Sequence, residues 1–315
     1  MKHHEAERSG GAGWRLLLQG RRLVIGAPYL WLLLFFLLPF LIVLRISLAD
    51  MDGATISSLV SYVDQQLVMK LQLRNYATIF QDDIYLSAYG RSLMYAGITT
   101  AICLLIGYPF GYFMARASAR LQPLLLMAVM LPFWTSFLLR VYAWKGLLDA
   151  QTGWVGRLLL HLHADRLLLP LGLIPAPGEF MYSPFSLVLG MVYTYLPFML
   201  LPLYATLSKL DLRLLEAAQD LGATPWQAFW RVTVPLSRSG IIAGSMLVFI
   251  PCVGEYVIPE LLGGPETLMI GRVLWDEFFA NNDWPLASGV AVVMVLLIIV
   301  PLAIFNNTQA KVARS

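Results

Sequence analysis

Six stretches of the chain stay apolar long enough, at about 20 residues each, to cross the hydrocarbon core of a bilayer as helices. They run over Leu23–Leu44, Ser92–Ala115, Pro123–Leu147, Phe185–Leu207, Ser239–Leu262 and Leu286–Phe305. The third is interrupted near its end by Arg140 and Lys145, the fifth by Pro251, Glu255, Pro259 and Glu260. Polar segments separate the runs. The segment between the fourth and fifth has a different pattern. Leu210, Leu214, Ala217, Ala218 and Leu221 fall at helical spacing and form one apolar stripe, with Asp211, Glu216, Gln219 and Asp220 off it. Gly222 then fits a helix C′ position, where positive φ is easy. Thr224 followed by Pro225 reads as an N-cap with proline in the first turn. A second short helix carries Trp226, Phe229 and Trp230 on one side, with Pro235 expected to stop it. The pattern predicts a helix–turn–helix too short and too polar to enter lipid, and on these signals alone it reads as a surface loop with ordinary helix stop and start signals.

Composition agrees with the spans. The chain is 58% hydrophobic and 13% charged, whereas a soluble domain is about half apolar and a quarter charged. The two cysteines, Cys103 and Cys252, lie inside apolar runs and read as small hydrophobes. The first run is too long for the apolar core of a cleaved leader, and no small-x-small site follows it, so it reads as a retained helix. Charge distribution orients the spans. The side holding both termini, the Arg116–Gln122 turn and the Ser208–Arg238 loop carries thirteen basic residues against five acidic ones; the remainder has nine against fourteen. The basic side is predicted to be cytoplasmic.

The segment from Glu216 resembles the EAA loop of ABC importer permeases. The pattern is Glu216-Ala217-Ala218, three residues, Gly222, nine residues, then Val232-Thr233-Val234-Pro235; valine stands at two positions where isoleucine and leucine are usual. Its place, cytoplasmic and two spans before the C-terminus, also fits. The resemblance implies an all-α integral membrane protein with six transmembrane helices, a MetI-like permease fold and cytoplasmic termini. The expected divisions are a cytoplasmic tail (1–22), a first transmembrane helix (23–48), a periplasmic segment (49–86), a permease domain (87–306) containing the coupling loop (209–238), and a second cytoplasmic tail (307–315). It further implies that Glu216, Ala217, Ala218, Gly222 and Pro235 belong to a loop docking on a separate ATPase subunit.

Longer blocks narrow the resemblance. Gly244–Phe279, Leu131–Trp144 and Tyr195–Leu207 are similar to permeases of polyamine importers, the putrescine and spermidine type. The resemblance implies a subunit of a bacterial inner-membrane importer, with putrescine the expected solute. Implied partners are two ATPase copies, a second and different permease, a periplasmic polyamine-binding protein and membrane lipid, with no nucleic acid. No cofactor is expected on this chain; ATP and Mg belong to the ATPase. The sequence has no G-x-x-x-x-G-K-[ST], H-E-x-x-H or G-x-S-x-G, so a transporter subunit rather than an enzyme is expected.

A polycation's path should offer carboxylates and aromatic faces. Glu255, about 24 Å into its span, is an ionisable group at membrane depth and a functional candidate by default. Tyr256, Glu260, Trp134 and Tyr195 are further candidates for the path, and Asp276 and Glu277 for contact with the binding protein. Two bland readings stand beside these. Glu255 could pair with Arg140 or Lys145, and tryptophan and tyrosine also populate interface belts. Pro251 and Pro259 are candidate breaks of the fifth helix or, equally, tolerated kinks. Rival functions are an ABC importer of another small solute, such as an amino acid, and an ion-coupled carrier working alone, for which no internal repeat is evident.

Overall fold

The computed structural model describes residues 24–53, 55–57, 60–63, 66–69, 71–149 and 151–312. The chain forms two compact units, one of residues 1–77 with 283–292, the other of 78–282 with 293–315.

In the first unit, α1 (Val24–Ser47) is helical throughout, with one π turn over Leu33–Leu37. Its apolar side chains face outward on almost every side, as a helix bathed in lipid requires. Two short antiparallel hairpins follow, Met51–Asp52 with Thr55–Ile56 and Val60–Val63 with Gln66–Met69. The start of α2 (Arg74–Gln81) is tied to the end of α1. The Asn75 amide donates to the Ser47 and Ala49 carbonyls (3.0 and 2.9 Å), and the Tyr76 and Ser47 hydroxyls lie 2.7 Å apart.

The second unit is built on three helices: α3 (Asp83–Arg116), α8 (Pro184–Leu207) and α11 (Arg238–Val253). Between α3 and α8 come α4 (Leu121–Met130), α5 (Phe137–Leu148), α6 (Trp154–His161) and α7 (Asp165–Leu168). The segment expected to couple forms α9 (Arg213–Asp220) and α10 (Pro225–Leu236). Beyond α11 lie α12 (Val257–Leu262) and α13 (Ile270–Trp275, continued by a π turn to Ala280). The long α14 runs Trp284–Val312 and spans both units in sequence.

The core of the second unit is apolar and includes Cys103, Met191, Met199, Leu203, Val248 and Cys252. Lipid supplies little hydrophobic drive between helices, so close backbone approach must hold them together. Glycine makes that approach possible. A Cβ on Gly240 would sit 2.6 Å from Thr206 Oγ1 and 2.9 Å from the Pro202 carbonyl; one on Gly244 would sit 3.0 Å from the Met199 carbonyl. Both press α11 onto α8. Gly244→Leu is expected to separate the two helices and sharply lower the yield of folded protein, measured by size-exclusion of the detergent-extracted subunit. Normal yield would show that the α8–α11 contact is dispensable.

Among the described residues, three helices (α1, α3 and α8) are long and apolar enough to cross a membrane alone. The others depart from the expected pattern. The expected third span is two helices: α4 with a 3₁₀ turn to Trp134, then α5, bent by 89°. Thr135 and Ser136 are extended at the bend. The first limb, at 1.5 Å per residue, reaches only about 21 Å, short of a full crossing. The expected fifth span also divides. α10 turns into α11 through 64°, and α11 ends at Val253, well before Leu262. Neither proline marks that end. Pro251 lies inside α11, and Pro259 falls in the first turn of α12, where a missing N–H leaves no hydrogen bond unmade. The helix holding the expected second span begins earlier, at Asp83, capped by Asp82 Oδ1 accepting the Ile84 N–H at 2.8 Å. The expected sixth span coincides with α14, whose described apolar stretch is Trp284–Ile299.

Candidate functional site

Two regions gather the residues singled out in the sequence. The first is the turn between α9 and α10. Asp211 Oδ1 accepts the Arg213 N–H at 3.0 Å at the start of α9, and Glu216 lies in the first turn, where an acid suits the helix dipole. The helix ends in a Schellman motif: the Ala223 N–H reaches the Ala218 carbonyl (3.0 Å) and the Gly222 N–H the Gln219 carbonyl (2.8 Å), with Gly222 at φ +85°. Thr224 and Gln227 then form a reciprocal capping box that starts α10, with Pro225 at its first position. The Schellman bonds and the capping box brace this tight turn from both sides, so the turn is stiff.

No residue of α9 is buried. Leu214 and Ala217 on the stripe stand exposed, and Leu221 is 90% exposed. The apolar stripe of α9 is only partly covered within the subunit, Leu210 and Ala218 being half-buried, so the helix offers surface to another protein. The second helix is instead anchored. Phe229 meets Tyr108 and Tyr112 of α3 edge-on, at centroid distances of 5.6 and 6.0 Å, and Trp226 stacks on it at 6.0 Å. The Tyr108 hydroxyl lies 2.8 Å from Ser237 Oγ at the α10–α11 junction. The open helix is therefore joined by one rigid turn to a helix keyed into α3 and continuous, through a bend, with α11. Pro235 stands one residue before the end of α10. It sits inside the last turn, after a π turn over Phe229–Thr233, and the chain bends at Ser237. The preceding π geometry leaves no i−4 partner for the proline to displace.

The second region surrounds the end of α11. Glu255 is 8% exposed. One carboxylate oxygen accepts the N–H groups of Tyr256, Val257 and Ile258 at 3.2, 3.1 and 3.4 Å, and the other accepts the Tyr195 hydroxyl. Glu255 therefore holds the break between α11 and α12 and ties it to α8. It pairs with neither Arg140 nor Lys145. The Arg140 guanidinium lies over the Phe133 and Phe137 rings (4.9 and 5.9 Å), and Lys145 Nζ over Tyr182 (5.4 Å).

Tyr256 and Glu260 join a separate group. Tyr256 stacks on Trp275, whose ring meets Phe279. Arg272 Nε lies 2.8 Å from Glu260 Oε2 and 4.0 Å from Asp276 Oδ2. Glu277 accepts the Tyr85 hydroxyl at 2.7 Å and the Asn281 amide at 2.9 Å, fastening α13 to α3. Trp134 stands apart, 76% exposed at the α4–α5 bend. Trp275, Phe279 and Arg272 were not singled out in the sequence. The available signal was helical spacing: Trp275 and Phe279 are four apart, and Arg272 is four before Asp276.

The chain is a helical membrane protein in which the short amphipathic helix α9 stands exposed. Residues 104–313 match the family described as binding-protein-dependent transport system inner membrane component, and the chain belongs to that family. The chain is 39% identical over 284 residues to the spermidine/putrescine transport system permease protein PotB of Haemophilus influenzae, covering 89% of this chain and 92% of that one. It is 37% identical to PotB of Escherichia coli, over 85% and 90% of the two chains, and 34% identical to the inner membrane ABC transporter permease protein YdcU of Escherichia coli, over 76% and 77%. A chain of a bacterial ABC transporter involved in the import of alginate shares the fold, with TM-score 0.61 at 19% identity over 94% of this chain and 99% of that one. The protein is an ABC importer permease subunit and a multi-pass membrane protein, not an enzyme.

Proposed function

We propose that the chain forms one half of the translocation pathway of an ATP-driven polyamine importer. The observation that supports this reading most strongly is similarity to spermidine/putrescine permeases over nearly the whole length of both chains. Those relatives carry both solutes in their names, so the polyamine class, rather than putrescine alone, is the reading. The acidic balance of the segments assigned to the outside suits a cation and disfavours an anionic solute. In this reading the six spans are completed by the two bent pairs and α14, and both termini and the α9–α10 turn face the cytoplasm of a bacterial inner membrane.

The open face of α9 then docks on an ATPase subunit. Two such subunits lie beneath this chain and a second permease, and a periplasmic binding protein delivers the solute from the other side. ATP-driven closure of the ATPase pair moves α9. The rigid turn passes the displacement to α10, and the Phe229 contacts and the α10–α11 junction carry it to α3 and α11. The complex reconstituted in liposomes is expected to take up labelled spermidine or putrescine only with ATP, and excess amino acids should not compete. Amino-acid competition would move the solute to the rival importer class. Uptake driven by an ion gradient without ATP would favour the secondary carrier.

A further inference from the structure

We infer that the groove between α3, α10 and α11 seats a membrane phospholipid of net negative charge, with its phosphate on Arg116 and an acyl chain along α3. The inference goes beyond the transport reading and is independent of the solute carried. The groove has a volume of about 530 Å³. Ala101, Leu105 and Tyr108 of α3, the Trp226 and Trp230 rings of α10 and Ile241 of α11 wall it, and the wall is almost wholly apolar. Leu105 is 75% and Trp226 69% exposed, so the groove is open along its side. An apolar surface this continuous and this open marks an interaction site. The groove stands where α10 meets α3 and α11, so whatever fills it braces that junction.

The position of Arg116 identifies the occupant. Ala101, Leu105, Tyr108, Tyr112 and Arg116 recur at helical spacing, so the groove side of α3 leads to Arg116, the last residue of the helix. At 1.5 Å per residue Arg116 lies about 22 Å beyond Ala101. Half a bilayer, headgroups included, is about 20–22 Å thick. With Arg116 among the headgroups, the groove therefore occupies the depth of one leaflet's acyl chains. The Arg116 guanidinium lies over the Tyr112 ring at 5.2 Å, and Tyr112 meets Phe229 of α10. Its Nη2 is buried without a hydrogen-bond partner, and among the described residues no carboxylate pairs with it. A buried guanidinium nitrogen needs an acceptor, and phosphate oxygens match it in charge and geometry. Arg238, exposed, follows Ser237, whose hydroxyl lies 2.8 Å from that of Tyr108, and adds a second positive charge beside the groove. A phospholipid brings an apolar chain and a phosphate in the order the surface asks for them. A helix of another chain would fill the apolar wall and still owe Arg116 an anion.

The test places the complete complex in phosphatidylcholine nanodiscs with a trace of phosphatidylglycerol carrying a diazirine on its acyl chain, and maps the photolabelled peptides by mass spectrometry. Labelling is expected to concentrate around Leu105 and around Trp226–Trp230, above that of α1, which meets bulk lipid on nearly every side and serves as the control. Arg116→Gln should lower groove labelling about tenfold, the scale of one hydrogen bond to a charged group, and leave α1 labelling unchanged. Arg116→Lys should keep most of it. Leu105→Trp, at an exposed position, should fill the groove and abolish labelling there. If Arg116→Gln fails to assemble, competition on the wild-type complex decides: unlabelled phosphatidylglycerol should displace the probe from the groove, and an equal addition of phosphatidylcholine should not. Groove labelling no stronger than that of α1, or crosslinks from the groove to a second permease chain in place of lipid, overturns the seat. Labelling unchanged by Arg116→Gln, or equal displacement by the two lipids, overturns the anionic headgroup.

Discussion

Importers carrying Gly222→Asp should take up no solute above background while the permease remains in the membrane at its normal level. Gly222 adopts φ +85°, a region where an L side chain costs about 1–2 kcal/mol. No atom lies within 4 Å of an added Cβ, so the subunit itself offers no steric objection. The strain is small beside the stability of the fold, which is why the level should hold. The damage falls on the docking surface. The Schellman turn that aims α9 is loosened, and a carboxylate is added beside Asp220 on a face that must fit another protein. Gly222→Ala separates the two effects: it carries the strain without the charge and should retain part of the uptake. Vesicle uptake with immunoblotting of the permease and ATPase checks both. Full uptake by Gly222→Asp would show that the turn does not transmit force.

Replacing Glu255 should have a different signature. Glu255→Ala leaves three backbone N–H groups and the Tyr195 hydroxyl without their acceptor in a site that is 8% exposed. Each buried orphan costs about 1–3 kcal/mol. The expected result is loss of folded subunit, with the assembled complex scarce in detergent. Glu255→Gln retains an amide oxygen able to accept the N–H groups and should fold with a lowered melting temperature. Tyr195→Phe removes one donor to a buried carboxylate and should cost about 1.5–3 kcal/mol. A well-folded Glu255→Ala complex that only required more polyamine for half-maximal uptake would place the carboxylate in the solute's path instead.

The coupling turn was legible because its signals are local. Glycine at a C′ position and threonine before proline each act within one turn of chain, and the structure uses both, adding Gln227 to the cap. The stripe on α9 was legible too, and the structure adds that Leu214, Ala217 and Leu221 stand exposed on it. The bends were not legible. Apolarity reports the solvent around a segment, not its direction, so the Thr135–Ser136 turn is hidden inside an unbroken apolar run. Nor did the prolines fix where the breaks fall. Pro235 follows a π turn and Pro259 falls in a first turn, where a missing N–H costs little, while Pro251 is carried inside the last turns of α11. The partners of Glu255 divide the same way. Three are its immediate successors, but the fourth, Tyr195, lies 60 residues earlier and meets it only through α8–α11 packing. The stack of Tyr256 on Trp275 likewise needs the fold to bring the two rings together.

The central claim is that α9 lies in the cytoplasm with its open face held by an ATPase. Both native cysteines, Cys103 and Cys252, are buried, so a single cysteine introduced at Ala217 can be read against a low background. An impermeant maleimide should leave Ala217→Cys unmodified in intact cells, label it in inverted vesicles stripped of the ATPase, and be blocked when the ATPase is added back. Labelling in intact cells would put α9 on the wrong side of the membrane, and labelling unaffected by the ATPase would show that the helix is not its dock.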